Sequence, residues 1–495
     1  MNRFIPAMCS LVCAFVVQTT HAAKPPNDQA DRLPNIVLMM SDDQGWGETG
    51  YNGHPHLKTP TLDDMAGTGL RLDRFYAASP VCTPTRASVL TGRHANRMGA
   101  FGANWSILPQ EITLAPLLRS AGYCTAHFGK WHVGAVKKDS PLSPKKLGFD
   151  ESLSHDNFFE MNPALSRNGQ TPVKIEGEGS EILIREALGF ARKSAGKPFF
   201  IVIWFGSPHS PYYCSEQDSA PYRKLGDELS WRYGEITAMD RAIGRFRDGL
   251  ADMGLRENTL LWFNSDNGMT IEGISKEQQA RQFNAGLRGS KAHMYEGGLR
   301  VPGIIEWPAV IDQPRHSAVP CVTSDILPTL LDILNLRHPK PDRPLDGISL
   351  KSLIVEGTMD QRPTPIGFSG YDWRSEQKNA PWLRDNSLNA FITRTAPKRG
   401  ATKRDKKTYF KNHRHPVAKT EFHHSRAWID NRYKLVFPKG INPKHELYDL
   451  EEDSEESVDL AAQRPEIVNR MAKQMNAWLL SVENSLTGAD YQTKN

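Results

Sequence analysis

The sequence predicts an α/β fold: a mostly parallel sheet flanked by helices, followed by a smaller C-terminal α+β unit. Three observations carry this. Asn35 to Met40, Tyr123 to Phe128, Phe199 to Phe205 and Thr259 to Phe263 are short continuous apolar runs, the form of strands buried on both faces. Helical periodicity lies between them, as strands alternating with helices in a parallel sheet require. After Pro341 the texture changes, with a linker-like Pro341 to Pro344, a basic stretch, a short strand and one last helix.

Taken in order, the chain opens like an export signal. Arg3 precedes the apolar run Phe4 to Val17, and Thr20-His21-Ala22-Ala23 offers small residues for cleavage, so residues 1–23 are expected to be removed. The run is too short for a membrane span, and no later run is long enough either. This predicts a periplasmic or secreted protein, of unspecified oligomeric state. Cys82, Cys124, Cys214 and Cys321 remain in the mature chain, allowing at most two disulfides. Residues 24–345 read as the catalytic domain and 346–495 as the smaller one. Within the first, Leu114, Leu117 and Leu118 before Gly122 mark a short helix, and Leu229 to Leu250 keeps three- and four-residue spacing over a long one. Within the second, a strand is expected over Tyr433 to Phe437 and a helix near Ile467 to Val482.

Composition excludes several classes. Of 495 residues, 39% are hydrophobic and 24% charged, which fits a folded globular chain. The formal charge of +5 is too small over this length to argue for a nucleic-acid partner. No HExxH or GxSxG string is present, so zinc-protease and ordinary serine-esterase readings have no support.

The segments just beyond the predicted strands point to chemistry. The four runs lead into Ser41-Asp42-Asp43-Gln44-Gly45, Gly129-Lys130-Trp131-His132, Ser207-Pro208-His209-Ser210-Pro211 and Ser265-Asp266-Asn267-Gly268. Ligands of open parallel sheets bind outside the carboxyl ends of the strands. Asp42, Asp43, Asp266 and Asn267 offer only oxygen, which favours calcium or magnesium over zinc. Cys82-Thr83-Pro84-Thr85-Arg86, running on to Leu90-Thr91-Gly92-Arg93, places Cys82 at a helix start, where an anion is favoured.

That string resembles the signature of type I sulfatases, in which the cysteine is oxidised to formylglycine. The resemblance extends through Gly129-Lys130-Trp131-His132, Ser207 to Pro211, Ser265 to Gly268, Gly289-Ser290-Lys291 and Glu296 to Pro302, and reaches Glu446 to Leu450 near the end. It implies an alkaline-phosphatase-like fold and hydrolysis of sulfate esters. It further implies that Asp42, Asp43, Asp266, Asn267 and the modified Cys82 hold one calcium ion, and that Arg86, Lys130 and Lys291 neutralise sulfate. His209 would protonate the leaving alcohol and His132 would take a proton from the aldehyde hydrate. A formylglycine-generating enzyme is the implied maturation partner. His155 and Asp156 are candidates for one further polar group.

Two rival readings stand beside this one: a phosphoester or phosphonate hydrolase on the same fold, and a non-catalytic binder of sulfated glycans. Between 394 and 419, ten Lys and Arg residues face the single acid Asp405. With export, this strip predicts a sulfated polysaccharide substrate.

Overall fold

A computed structural model describes residues 1, 33–194, 196–271, 273–370, 424–440 and 444–491. The expected signal segment 1–23 and basic strip 394–419 fall outside these, Met1 apart.

Five parallel strands form the centre: β1 (Asn35–Ser41), β2 (Cys124–Lys130), β3 (Glu151–His155), β4 (Phe199–Trp204) and β5 (Thr259–Ser265), in the spatial order β5-β1-β4-β2-β3. An antiparallel strand β6 (Gly303–Glu306) continues beyond β5, and outer strands extend the sheet to ten. The strand ends fall level. Ser41 pairs with Ser265, Met40 and Gly129 both pair with Trp204, and Lys130 pairs with His155. Residues just beyond these pairs therefore emerge along one edge.

The apolar runs are continuous because both faces are covered. Ile36, Leu38 and Met40 pack with Ala87 and Leu90 of α1 (Cys82–Thr91) on one side. Val37 and Met39 pack on the other with Ile236, Met239 and Ile243 of α3 (Asp227–Asp252), alongside Ile182 and Leu183 of α2 (Gly179–Lys193). The predicted strands and the long helix are found within one or two residues of their expected bounds. Lys130 belongs to its strand rather than coming after it.

The C-terminal unit is an antiparallel sheet of β7 (Ile366–Ser369), β8 (Arg426–Asp430), β9 (Tyr433–Phe437) and β10 (Glu446–Asp449). Trp428, Leu435 and Leu447 cover Met471, Met475 and Leu479 of α4 (Pro465–Leu486). The opposite face, with Phe368, Ile429 and Val436, packs on Tyr76, Met294 and Leu299 of the catalytic part. Lys434 is fully buried at this junction, 2.9 Å from both Glu296 Oε1 and Glu456 Oε1. The Glu296 backbone N–H donates to Glu456 Oε2 at 2.6 Å, and the Tyr76 hydroxyl donates to Glu296 Oε2 at 3.0 Å. One ammonium thus stands between two carboxylates where two apolar layers meet, and buried charges require such a partner.

Candidate active site

The edge where β1, β2, β4 and β5 end carries the predicted residues in one cluster. Gly129 makes this possible from inside the sheet. At φ +105°, a Cβ there would collide with the Trp204 carbonyl oxygen, so only glycine lets β2 and β4 converge just before Lys130. Lys130 Nζ then reaches Asp42 Oδ2 at 2.6 Å, both side chains being fully buried. Arg86, one turn into α1, donates to Asp266 Oδ2 from Nε at 3.0 Å and Nη2 at 2.6 Å, and to the Lys130 carbonyl at 3.1 Å. Lys291 Nζ bonds both Asp43 oxygens, at 2.6 and 2.7 Å. Asn267 Nδ2 donates to Asp43 Oδ1 at 2.7 Å, and the Asp43 N–H donates to Asp266 Oδ1 at 3.1 Å.

Cys82 is the first residue of α1 and only 2% exposed. Burial pushes its thiol up, and the charges acting on it are those of Lys130, Lys291, Asp266 and Asp42. A buried thiol held protonated is a poor nucleophile. The helix start therefore does not lower this thiol's pKa, as position alone would suggest. None of the four described cysteines is in a disulfide.

Three carboxylates, Asp42, Asp43 and Asp266, thus stand among three cations. The balance is uneven. Burial lifts Asp266 to about 6, helped by Asp42 and opposed by Arg86. Burial also acts against the Asp43 charge, but Lys291, His209 and Lys130 together hold that carboxyl below the usual range. Among the described residues, the buried atoms Asp42 Oδ1 and Asn267 Oδ1 have no hydrogen-bond partner. Asp42, Asp43 and His209 also place ligand atoms within 4.8 Å of one another. Open hard oxygen donors beside crowded carboxylates fit a divalent cation of the calcium type.

A sulfatase family model matches residues 34–336, more than half of the chain. The chain belongs to the sulfatase family. Its activity is accordingly that of a sulfuric ester hydrolase. Over 369 residues it is 34% identical to N-acetylgalactosamine-6-sulfatase of Canis lupus familiaris, covering 68% of each chain. The fold matches the crystal structure of Ps i-CgsB in complex with k-i-k-neocarrahexaose, with TM-score 0.73, 23% identity and coverage of 92% of this chain and 94% of the other. It also matches the phosphonate monoester hydrolase of Agrobacterium radiobacter, with TM-score 0.60, 19% identity and coverage of 92% and 96%. The architecture is the alkaline-phosphatase-like fold of sulfatases, as the signature string implies.

Within this sulfatase the two histidines are held differently. His132 takes φ +55° and Asp43 φ +68°, left-handed conformations that His and Asp tolerate better than most residues. The His132 carbonyl accepts from Thr83 Oγ1 at 2.9 Å, tying it to the residue after Cys82. Its Nε2 lies 3.1 Å from Asn104 Oδ1. His209 Nδ1 lies 2.6 Å from the Ser210 carbonyl, its Nε2 is 3.6 Å from Asp43 Oδ2, and its ring stacks on Phe158 at 4.1 Å. Burial lowers both histidines, His209 to about 3. Asn104 and Phe158 were not legible in the sequence, since each lies in a loop with no motif around it. His155 and Asp156 make backbone contacts: His155 Nδ1 lies 3.0 Å from the Asn157 carbonyl, and Asp156 Oδ1 accepts from Val136 N at 2.8 Å.

Proposed function

We propose that this sulfatase, after export, removes sulfate from a sulfated carbohydrate through an oxidised Cys82 and a calcium ion. The observation that carries this reading is the convergence of Arg86, Lys130 and Lys291 on Asp42, Asp43 and Asp266 around the start of the helix that Cys82 begins. Cations so placed suit a sulfate group and the charge that grows on it during transfer. The carbohydrate is supported by the similar proteins: one solved neighbour is bound to a neocarrahexaose, and the canine relative is a sugar sulfatase.

Each residue has its own task. Formylglycine at position 82, installed by a formylglycine-generating enzyme, would supply an aldehyde hydrate, with one hydroxyl to attack sulfur and a second to release sulfate. Calcium, held by Asp42, Asp43, Asp266, Asn267 and residue 82, would supply positive charge against the sulfate oxygens. Arg86, Lys130 and Lys291 orient those oxygens. His209 presents Nε2 to the leaving alcohol because Nδ1 is engaged at Ser210. Burial and the nearby lysines favour its neutral form, and an anionic ester alongside would favour its protonated form. His132, whose burial also favours neutrality, is suited to accept a proton at its ring.

The phosphonate hydrolase among the fold's neighbours makes phosphoester cleavage the second reading. One preparation should turn over an aryl sulfate on the order of 100-fold faster than the matching aryl phosphate, a difference of about 2.7 kcal/mol in barrier. The reverse preference would overturn the sulfate reading. Polymer recognition is tested separately. If the strip at 394–419 grips a polyanion, affinity for a sulfated polysaccharide falls as salt rises, while small aryl sulfates respond little. Neutralising Lys403, Arg404, Lys406 and Lys407 together should raise the polymer's Michaelis constant and flatten that salt response. Unchanged polymer kinetics would remove the strip from the substrate site.

A further inference from the structure

We infer that Arg232, in the second turn of α3, is a positioning residue that holds the Asp43 peptide and the His209 loop in register. The inference rests on the roles proposed above for Asp43 and His209. Arg232 is fully buried, and each of its five donor hydrogens has an acceptor. Nε reaches Glu48 Oε1 at 2.6 Å, and Nη2 reaches Glu48 Oε2 at 2.5 Å. Nη2 also donates to the Asp43 carbonyl at 2.6 Å. Nη1 donates to the Pro208 carbonyl at 2.9 Å and to the Tyr212 hydroxyl at 3.1 Å.

Two of these acceptors lie in the working segments themselves. The Asp43 carbonyl belongs to a residue in the left-handed region, a conformation that its surroundings must hold. The Pro208 carbonyl is one peptide from His209. One rigid, planar fork therefore spans the loop that bears a proposed cation ligand and the loop that bears the proposed proton donor. Glu48 neutralises the guanidinium and also accepts the Gly45 N–H at 2.8 Å, fixing the same loop a second time. Arg247, on the same helix, offers the contrast. It is buried, but its bonds go to the carboxylates of Glu306 and Asp64 and not to a site carbonyl. A lysine keeps the charge and loses the fork.

The test compares Arg232→Lys with Arg247→Lys in the full-length protein. It reads aryl-sulfate kinetics, calcium affinity by calorimetry and thermal unfolding. Arg232→Lys should lower kcat and weaken calcium binding by about 10- to 100-fold each, with KM changed by less than about threefold. Arg247→Lys should lower the melting temperature and leave kcat and calcium affinity within about threefold of wild type. The inference is overturned if Arg232→Lys retains both, or if Arg247→Lys loses them equally. Should Arg232→Lys not fold, Glu48→Gln decides. It leaves the fork in place but slackens its anchor, and a folded Glu48→Gln protein with unchanged kcat and calcium affinity overturns the inference. Wild-type protein that binds no calcium would refute the calcium reading alone, and kcat would still judge Arg232.

Discussion

Cys82→Ala should cost about 10⁵-fold or more in turnover while the protein stays folded. The side chain begins α1, and cutting it back to a methyl group removes one heavy atom from a helix end, a loss of about 1 kcal/mol at most positions of this kind. Arg86, Lys130 and Lys291 would remain to bind sulfate, so affinity for an inert sulfated ligand should survive when turnover does not. Cys82→Ser is expected to fail differently, because a single hydroxyl lacks the partner needed to expel sulfate. Active protein should carry at position 82 a sulfur-free side chain that reacts with carbonyl reagents. An intact cysteine found by mass spectrometry in a fully active preparation would end the formylglycine reading.

Exhaustive chelation should reduce activity by on the order of 100-fold or more, and calcium should restore it better than zinc. The reason lies in the donor set. Asp42 Oδ1 and Asn267 Oδ1 are buried oxygens with no hydrogen-bond partner, and Asp266 is pushed up to about 6 by burial and its Asp42 neighbour. A divalent cation relieves both conditions at once, and soft ligands are missing from the unmodified set apart from the Cys82 thiol. Metal analysis before and after chelation, with parallel rates, checks the point. Full activity in protein stripped of divalent metal would overturn it.

The central fold could be read because its strands obey a simple rule. Strands covered on both faces must be apolar at every position, so runs such as Phe199 to Trp204 stand out without any period. Asp42, Lys130, His209 and Asp266 were legible for a related reason: polar groups directly after such runs must lie at the sheet edge. Short strands such as Gly303–Glu306 and Ile366–Ser369 were not, because so few residues carry no pattern. Arg232 was hidden by its setting. In a helix marked by apolar spacing, one of four arginines reads as a solvated charge, and only the packed structure shows five acceptors around Arg232. The left-handed turns at Asp43 and His132 were equally silent, since neither is glycine.

The buried group formed by Lys434, Glu296 and Glu456 bears on the timing of synthesis. Glu296 leaves the ribosome 138 residues before Lys434. At ordinary elongation rates that interval is on the order of ten seconds. Throughout it the Glu296 carboxylate lacks its ammonium and has only the Tyr76 hydroxyl and Arg300, 3.8 Å away, to offset the cost of burial. The junction around Glu296 therefore cannot be completed until the strand that carries Lys434 has been made. The late lysine thus ties completion of this junction to the arrival of the C-terminal sheet.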